Sequence, residues 1–154
     1  MISAISKAGA KKMLIGLDGN FAGRCLLGVE DNEINRLVLE HTLMPLDLPF
    51  HIAHDGRKGV EAFMLLKPLV VLMDVSLPEM NGYQATQAIR EHEAQNGLTR
   101  TPIIAMTAHA LKEDRQRCLD AGMDDYLAKP ISPDAVTLKI RRWLAGEGND
   151  ALQM

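Results

Sequence analysis

Five residues with chemically active side chains follow four short apolar runs of this chain, two of them in succession after the first run. In chain order they are Glu30, Asp31, Asp74, Thr107 and Lys129. If the runs are parallel strands of one sheet, their carboxyl ends meet at a single edge, where open α/β sheets place their sites. We therefore expect three carboxylates, one hydroxyl and one ammonium to share a pocket suited to phosphoryl chemistry.

Three carboxylates in one pocket oppose one another, because each negative charge disfavours ionisation of its neighbours. A divalent cation relieves that repulsion, and oxygen ligands with water in the remaining positions suit Mg²⁺ better than a transition metal. Glu30 and Asp31 are, as a pair, equally consistent with capping the first helix, where acidic side chains favour the positive end of the dipole. Metal binding and helix capping both stay open for this pair.

Asp74 is the candidate nucleophile because it directly follows five apolar residues. Next to a metal, such a carboxylate can form an acyl phosphate. Lys129 would place a positive charge on the phosphoryl oxygens, and the hydroxyl of Thr107 can donate to another oxygen. A single Thr or Lys at a strand end is usually only solvated, so the prediction depends on their convergence with the acids.

Composition describes an ordinary globular protein. The 154 residues suit one domain, with 47% hydrophobic and 24% charged residues. A net charge of −3 provides no basic field for nucleic acid. Cys25 and Cys118 are far apart and predict reduced packing residues. Because no apolar run approaches the roughly 18 residues of a membrane span, we expect a cytoplasmic protein without a membrane segment.

Strand-like and helix-like stretches alternate along most of the chain, which indicates βαβ units around a parallel sheet. The expected strands cover residues 25–30, 51–54, 69–73, 103–107 and 125–129. Apolar stripes predict the buried faces of the helices between them. These stripes are Ile34, Leu37 and Val38; Val60, Phe63 and Met64; Ala85, Ala88 and Ile89; Leu111, Cys118 and Leu119; and Val136, Ile140, Trp143 and Leu144.

The chain ends and one glycine depart from this pattern. Residues 1–23 are predicted to be an N-terminal tail or linker, in which 12–17 could form one short strand. The domain is expected to occupy residues 24–145, followed by a C-terminal tail over 146–154. Gly28 inside the first strand indicates either a bulge or a close backbone approach.

Four stretches resemble, in order and spacing, the receiver domain of two-component response regulators, most closely the receivers of hybrid sensor histidine kinases. They are residues 29–35, 73–82, 103–108 and 124–130, and the resemblance extends over about 24–145. It implies an α/β, flavodoxin-like, doubly wound sheet of five parallel strands in the order 2-1-3-4-5, with five helices.

The resemblance also implies the metal and phosphoryl ligands. Asp74 matches the phosphoacceptor of the family. Asp31 matches the acid that binds Mg²⁺ directly, and Glu30 the acid that holds it chiefly through water. The carbonyl of Ser76 matches a further metal ligand.

Four other matches concern phosphate binding and switching. Lys129 matches the phosphate-binding lysine and Thr107 the switch hydroxyl. Tyr126 matches the aromatic residue whose rotamer follows activation. The bond before Pro130 is expected to be cis, which aims Lys129 inward.

The resemblance implies a signalling switch rather than a conventional enzyme, with intrinsic autophosphorylation and autodephosphorylation chemistry. The phosphoryl group would come from the phosphohistidine of a sensor histidine kinase or a histidine phosphotransfer protein. Output would pass through the fourth helix, fifth strand and fifth helix to a downstream protein partner, without direct contact to nucleic acid.

Other function classes also use this type of site or fold. A binding-only receiver is disfavoured by the complete set of acids, hydroxyl and lysine, and a phosphate sink stays open. A phosphatase of the haloacid dehalogenase type would need a second aspartate, which Asp74-Val75-Ser76 lacks. A flavin or nucleotide protein is disfavoured because no Gly-rich phosphate loop is present.

Overall fold

The computed structural model describes residues 13–109 and 111–147, so the outer parts of both expected tails, 1–12 and 148–154, lie outside it. The strands are β1 Leu26–Val29, β2 Phe50–Ala53, β3 Val70–Asp74, β4 Ile103–Thr107 and β5 Asp125–Ala128. The helices are α1 Glu33–Leu43, α2 Gly56–Leu66, α3 Gly82–Gln95, α4 Lys112–Ala121 and α5 Pro133–Leu144. Short 3-10 turns cover Gly19–Phe21 and Met44–Leu46.

The five strands form one parallel sheet in the order β2-β1-β3-β4-β5, which confirms the predicted topology. Every residue of β1, β3 and β4 is buried, because helices cover both faces of the sheet. The register pairs Val29 with Met73, Asp74 with Met106, and Thr107 with Ala128. The carboxyl ends of these four strands therefore lie at one edge.

Two apolar layers sandwich the sheet. One layer contains buried residues of α2, α3 and α4, among them Phe63, Ile89 and Cys118. The other contains buried residues of α1 and α5, among them Leu39 and Ile140. The helices on opposite faces of the sheet thus pack into separate cores. These two cores hold the sheet, and with it the edge at which the strands end.

The predicted buried face of α1 is wrong. Ile34, Leu37 and Val38 are 70%, 50% and 41% exposed, and Leu39 and Leu43 face the sheet instead. An apolar stripe identifies the side of a helix that packs on the sheet only when the helix contacts no surface other than the sheet. The docking of α1 on the sheet therefore leaves an apolar face in solvent.

Smaller corrections of the same kind apply to three other helices. Four residues from the predicted stripes are exposed, namely Met64 of α2, Leu111 and Leu119 at α4, and Leu144 of α5. The other predicted anchors Val60, Phe63, Cys118, Val136 and Ile140 are buried. In α3, Ala85 and Ile89 are buried as expected.

Residues 13–23 pack against the domain body rather than extending from it as a tail. Leu14 forms a parallel bridge with Phe50 at the free edge of β2. The Ile15 amide donates to the Phe50 carbonyl at 2.7 Å, and the Phe50 amide donates to the Met13 carbonyl at 2.8 Å. The short strand expected here is thus one bridge long, and it covers an edge that would otherwise be open to pairing.

Gly28 permits a close approach and not a bulge. In the described pairing, each residue of β1 opposes one residue of β2 and one of β3. A Cβ at Gly28 would lie 2.8 Å from Cδ2 of Leu39. The glycine therefore leaves room for the Leu39 side chain of α1 over β1.

Candidate functional site

Three carboxylates converge at the carboxyl edge of the sheet. Asp74 is the last residue of β3, and Glu30 and Asp31 follow β1. Glu30 and Asp74 are each only 2% exposed, whereas Asp31 faces solvent. One oxygen from each of the three carboxylates lies within 4.8 Å of the others. The predicted cluster of three carboxylates is therefore present, and Asp31 is its solvent-exposed member.

Lys129 joins two of these acids. Its Nζ lies 3.0 Å from Oδ1 of Asp74 and 3.2 Å from Oε1 of Glu30. The Lys129 amide donates to the Thr107 carbonyl at 2.7 Å, which ties the residue to the end of β4. The bond between Lys129 and Pro130 is cis, as the resemblance implies.

The charges in the site are unbalanced. Burial raises the pKa of the Glu30 carboxyl, and the charge of Asp74 adds to this effect against the Asn32 amide and Lys129, which lower it. Burial alone would lower the pKa of Lys129, but Asp74 and Glu30 raise it above its ordinary value. One ammonium thus faces three carboxylates, and the donor set of hard oxygens fits a divalent cation such as Mg²⁺.

The capping alternative for Glu30 and Asp31 is wrong, because Asn32 caps α1. Its Oδ1 accepts the Asn35 amide at 2.9 Å. Glu30 instead braces the turn, since its Oε2 accepts the Asn32 amide at 3.1 Å. Glu30 thus contacts the N-cap residue through one oxygen, while its other oxygen, Oε1, faces Lys129 in the shared site.

Arg36 supports the site and was missed by the sequence analysis. Its Nη1 donates to the Asp31 carbonyl at 2.6 Å and lies 3.4 Å from the Glu30 carbonyl. The guanidinium thereby holds the backbone of both acids from the second turn of α1. Its distance along the chain from the acidic pair matches no local motif, so the sequence offers no signal for this role.

The loop after Asp74 is packed tightly against the strand end. The Ser76 amide donates to Oδ1 of Asp74 at 3.0 Å, and the exposed Ser76 stands where a further oxygen ligand is expected. Gly82 brings α3 close, because a Cβ there would lie 2.3 Å from the Asp74 carbonyl oxygen. No local sequence pattern indicates that glycine is needed at this contact.

Thr107 ends β4, beside the strand that ends in Asp74, and Tyr126 lies on the next strand, β5. The Thr107 hydroxyl donates to the His109 carbonyl at 2.9 Å and accepts the His109 amide at 3.1 Å. Tyr126 is half-buried and pairs with Ala105 across β4 and β5. The Thr107 hydroxyl is therefore engaged with its own loop. The residue opposite Tyr126 on β4 is Ala105, which has a small side chain.

Most of the chain matches the sequence pattern of a known domain family. The model of the response regulator receiver domain matches residues 26–141. The chain belongs to this family. The match covers every strand and all of the site residues described above.

The curated relatives are sensor kinases much longer than this receiver domain. It is 38% identical over 118 residues to the sensor protein GacS of Pseudomonas syringae pv. syringae, covering 77% of this chain and 13% of that protein. It is 41% identical over 111 residues to the sensor histidine kinase RcsC of Salmonella typhi, covering 72% of this chain and 11% of that protein. The chain thus spans only a small part of these relatives.

Two solved structures are similar in fold. The receiver domain of sensor histidine kinase PA1611 from Pseudomonas aeruginosa PAO1, with magnesium coordinated in the active site cleft, has 41% identity and a TM-score of 0.71, covering 80% of this chain and 99% of that one. A chain in the co-crystal structure of the Saccharomyces cerevisiae phosphotransfer protein Ypd1 with the receiver domain of Ssk1 has 29% identity and a TM-score of 0.77, covering 87% and 99%.

The longest helix in the described part of the chain is α3, with 14 residues. None of the helices there combines the length and the apolar character needed to cross a bilayer.

Proposed function

We propose that this receiver domain accepts a phosphoryl group on Asp74 from a phosphohistidine and switches conformation to signal to a partner. The observation that carries the proposal is the buried Asp74 carboxylate, 3.0 Å from Lys129 and clustered with Glu30 and Asp31. A nucleophile beside one fixed cation and a divalent-cation site suits phosphoryl transfer, in which positioning and charge neutralisation supply most of the catalysis.

In the transfer step, a carboxylate oxygen of Asp74 attacks phosphorus. The bond between phosphorus and the histidine nitrogen breaks, and the nitrogen leaves with the electron pair. Lys129 exchanges part of its contact with Asp74 for the phosphoryl oxygens. The Thr107 hydroxyl releases the His109 carbonyl and donates to another phosphoryl oxygen. Attack of water on the acyl phosphate later breaks the new bond and restores the carboxylate.

Glu30, Asp31, Asp74 and the carbonyl of Ser76 are the residues that would hold Mg²⁺. The ion would supply positive charge for the phosphoryl oxygens. Asp31 gives the ion access from solvent, because it is the exposed member of the cluster. Support for the metal comes from this donor set and from the magnesium described in the PA1611 receiver domain.

The phosphohistidine donor is, in this proposal, a sensor histidine kinase or a histidine phosphotransfer protein in the cytoplasm. The exposed apolar face of α1, formed by Ile34, Leu37 and Val38, lies on the helix that begins at the site. A largely apolar groove continues from Val38 to Pro130 and Ile131. We infer that the donor packs on this face, because it is apolar, exposed and adjacent to the site. The co-crystal structure of Ypd1 with a related receiver domain supports a histidine phosphotransfer protein as a partner.

The test is phosphorylation by acetyl phosphate, followed by intact-mass spectrometry. Wild type should gain one phosphoryl group when Mg²⁺ is present and none when a chelator is added. Asp74→Asn should gain none, whereas Asp120→Asn, which changes an exposed acid of α4, should behave as wild type. Equal labelling of wild type and Asp74→Asn would contradict the proposal, and no labelling of either would favour a binding-only receiver.

A further inference from the structure

Two cations from different helices lie near the ring of Tyr126. Nζ of Lys139, on α5, is 5.7 Å from the ring centroid, and Cζ of Arg115, on α4, is 5.8 Å from it. A cation within about 6 Å of an aromatic face is attracted to the ring, and the attraction changes an equilibrium constant by about two- to fivefold at an exposed site. Two such contacts act together on one ring.

Lys139 is fixed at this distance by a buried carboxylate. Its Nζ lies 2.8 Å from Oδ1 of Asp125, which is 2% exposed. The same carboxylate accepts the Trp143 indole N–H at 2.9 Å and the Tyr126 amide at 2.8 Å. Because the Asp125 carboxylate is held by three donors, it fixes the position of the Lys139 ammonium independently of the Tyr126 ring.

The ring is close enough to the site to be affected by it. Tyr126 opposes Ala105, and Ala128 opposes Thr107, so the ring and the Thr107 side chain are diagonal neighbours on one face of the sheet. Ala105 has only a methyl group there. A ring that turns towards the Thr107 position moves over this small residue and away from both helices that carry the cations.

We propose that Lys139, held by Asp125, and Arg115 form a latch that keeps Tyr126 in its orientation in the unphosphorylated domain. The latch rests on the proposed function, because it requires that modification at Asp74 favours an inward ring. Lys139 and Arg115 are then positioning residues that set the resting equilibrium of the switch. A ligand at Asp74 must favour the inward state strongly enough to overcome both contacts.

The test measures the binding of beryllofluoride, a phosphoryl mimic, to the full chain in the presence of Mg²⁺. Lys139→Met and Arg115→Met should each lower the apparent Kd about twofold, and the double variant about fourfold, because contacts of the resting state are lost. The NMR signals of the Tyr126 ring in these variants, without beryllofluoride, should shift towards those of saturated wild type.

Three controls separate the latch from general effects on the fold. Lys112→Met and Arg142→Met change exposed cations on the same two helices and should leave the Kd and ring signals as in wild type. Lys139→Arg keeps the positive charge, and its Kd for beryllofluoride should equal that of wild type. In a Tyr126→Leu background, Lys139→Met should have no further effect, because the ring that it contacts is gone.

The outcomes distinguish the latch from the function on which it rests. Wild type that binds beryllofluoride normally, with unchanged affinity in the single and double variants, would overturn the latch alone. A lowered Kd that persists without Tyr126 would also overturn it. Wild type that binds no beryllofluoride would overturn both the proposed function and the latch. If Lys139→Met is too unstable to measure, Arg115→Met tests the same ring from α4.

Discussion

Lys129 offsets only part of the charge that Asp74 and Glu30 carry at the carboxyl edge of the sheet. Its single ammonium lies within 3.2 Å of both carboxylates, and Asp31 adds a third negative charge nearby. Repulsion among partly buried like charges is costly to the folded state. We therefore expect the stability of the domain to depend strongly on a divalent cation and weakly on monovalent salt. A monovalent cation at the site would bring less charge.

Magnesium should stabilise the folded receiver domain through this site. Binding to the folded state alone raises the free energy of unfolding by about 2.7 kcal/mol when free Mg²⁺ is about 100 times its Kd. Asp31→Asn should lose most of that gain, while its metal-free stability equals or exceeds that of wild type. Thermal melting against MgCl₂ measures both quantities.

Asp120→Asn, which changes an exposed acid of α4, should retain the wild-type response to Mg²⁺. The same melting curves with NaCl at matched ionic strength separate site binding from screening. A wild-type melting temperature that does not depend on Mg²⁺ would count against the pocket.

At the scale of elements, the site depends on how closely helices approach the strand ends. Gly82 lets α3 approach the backbone at the end of β3, and Gly28 leaves room for the Leu39 side chain of α1. Helix α1 also provides Arg36, which holds the backbone of Glu30 and Asp31. The orientation of the carboxylates is therefore set by helix docking as much as by strand order.

Gly82→Ala should be destabilised, because the new Cβ would lie 2.3 Å from the Asp74 carbonyl oxygen and 2.8 Å from Cα of Val75. Both contacts are to backbone, so relief requires α3 to move. Overpacking of this kind costs about 1–3 kcal/mol. Urea unfolding provides the free energy, and Gly16→Ala, where a Cβ meets nothing within 4 Å, is the matched control. Equal stabilities of the two variants would show that α3 adjusts freely.

Leu37→Asp should impair phosphotransfer from a protein donor without impairing the chemistry at Asp74. Leu37 is 50% exposed, so the fold tolerates the change, but a charge at the centre of the apolar α1 face opposes docking. We expect transfer from a phosphorylated histidine phosphotransfer protein to be at least about tenfold slower, equivalent to about 1.4 kcal/mol. Labelling by acetyl phosphate should stay at the wild-type rate.

Met64→Asp is the control for this prediction. Met64 is 42% exposed on α2, which packs on the other face of the sheet from α1. The two variants therefore add the same charge to different apolar surfaces. Equal rates of protein-to-protein transfer in both would place the donor elsewhere on the domain.

At the scale of the whole molecule, the domain includes residues that precede the region matched by the family model. The family match begins at residue 26, yet Met13 is buried in the core layer of α1 and α5, and Phe21 packs on the opposite layer. The Gly23 amide donates to the Leu66 carbonyl at the end of α2 at 2.8 Å. This segment thereby joins the free edge of the sheet to both layers.

A chain that starts at residue 24 should be less stable than the full chain and more prone to associate. It loses the contacts of Met13 and Phe21 and exposes the edge of β2. Loss of one large apolar contact costs about 2–4 kcal/mol, which urea unfolding would detect. The shorter chain keeps all the site residues, so it should still be labelled by acetyl phosphate. Unchanged stability would mean that residues 13–23 only rest on the surface.

Much of the site could be predicted from sequence because it lies where buried strands end. A strand covered on both faces must be nearly all apolar, so the polar residue that follows it is conspicuous. Asp74 and Thr107 were found in this way, and the parallel arrangement then required their convergence. The order of the strands and the identity of the receiver domain followed from the resemblance of four motifs, which the structure and the family match confirm.

The tertiary structure alone decided which apolar residues are buried and which groups support the acids. The stripe of Ile34, Leu37 and Val38 has the period of a buried helix face, but the docking of α1 exposes it. The contacts of Arg36 with the carbonyls of the two acids, and of two cations with the Tyr126 ring, match no local sequence pattern. Periodicity is a property of one segment, whereas docking depends on the surfaces of two, and only the folded chain brings both surfaces together.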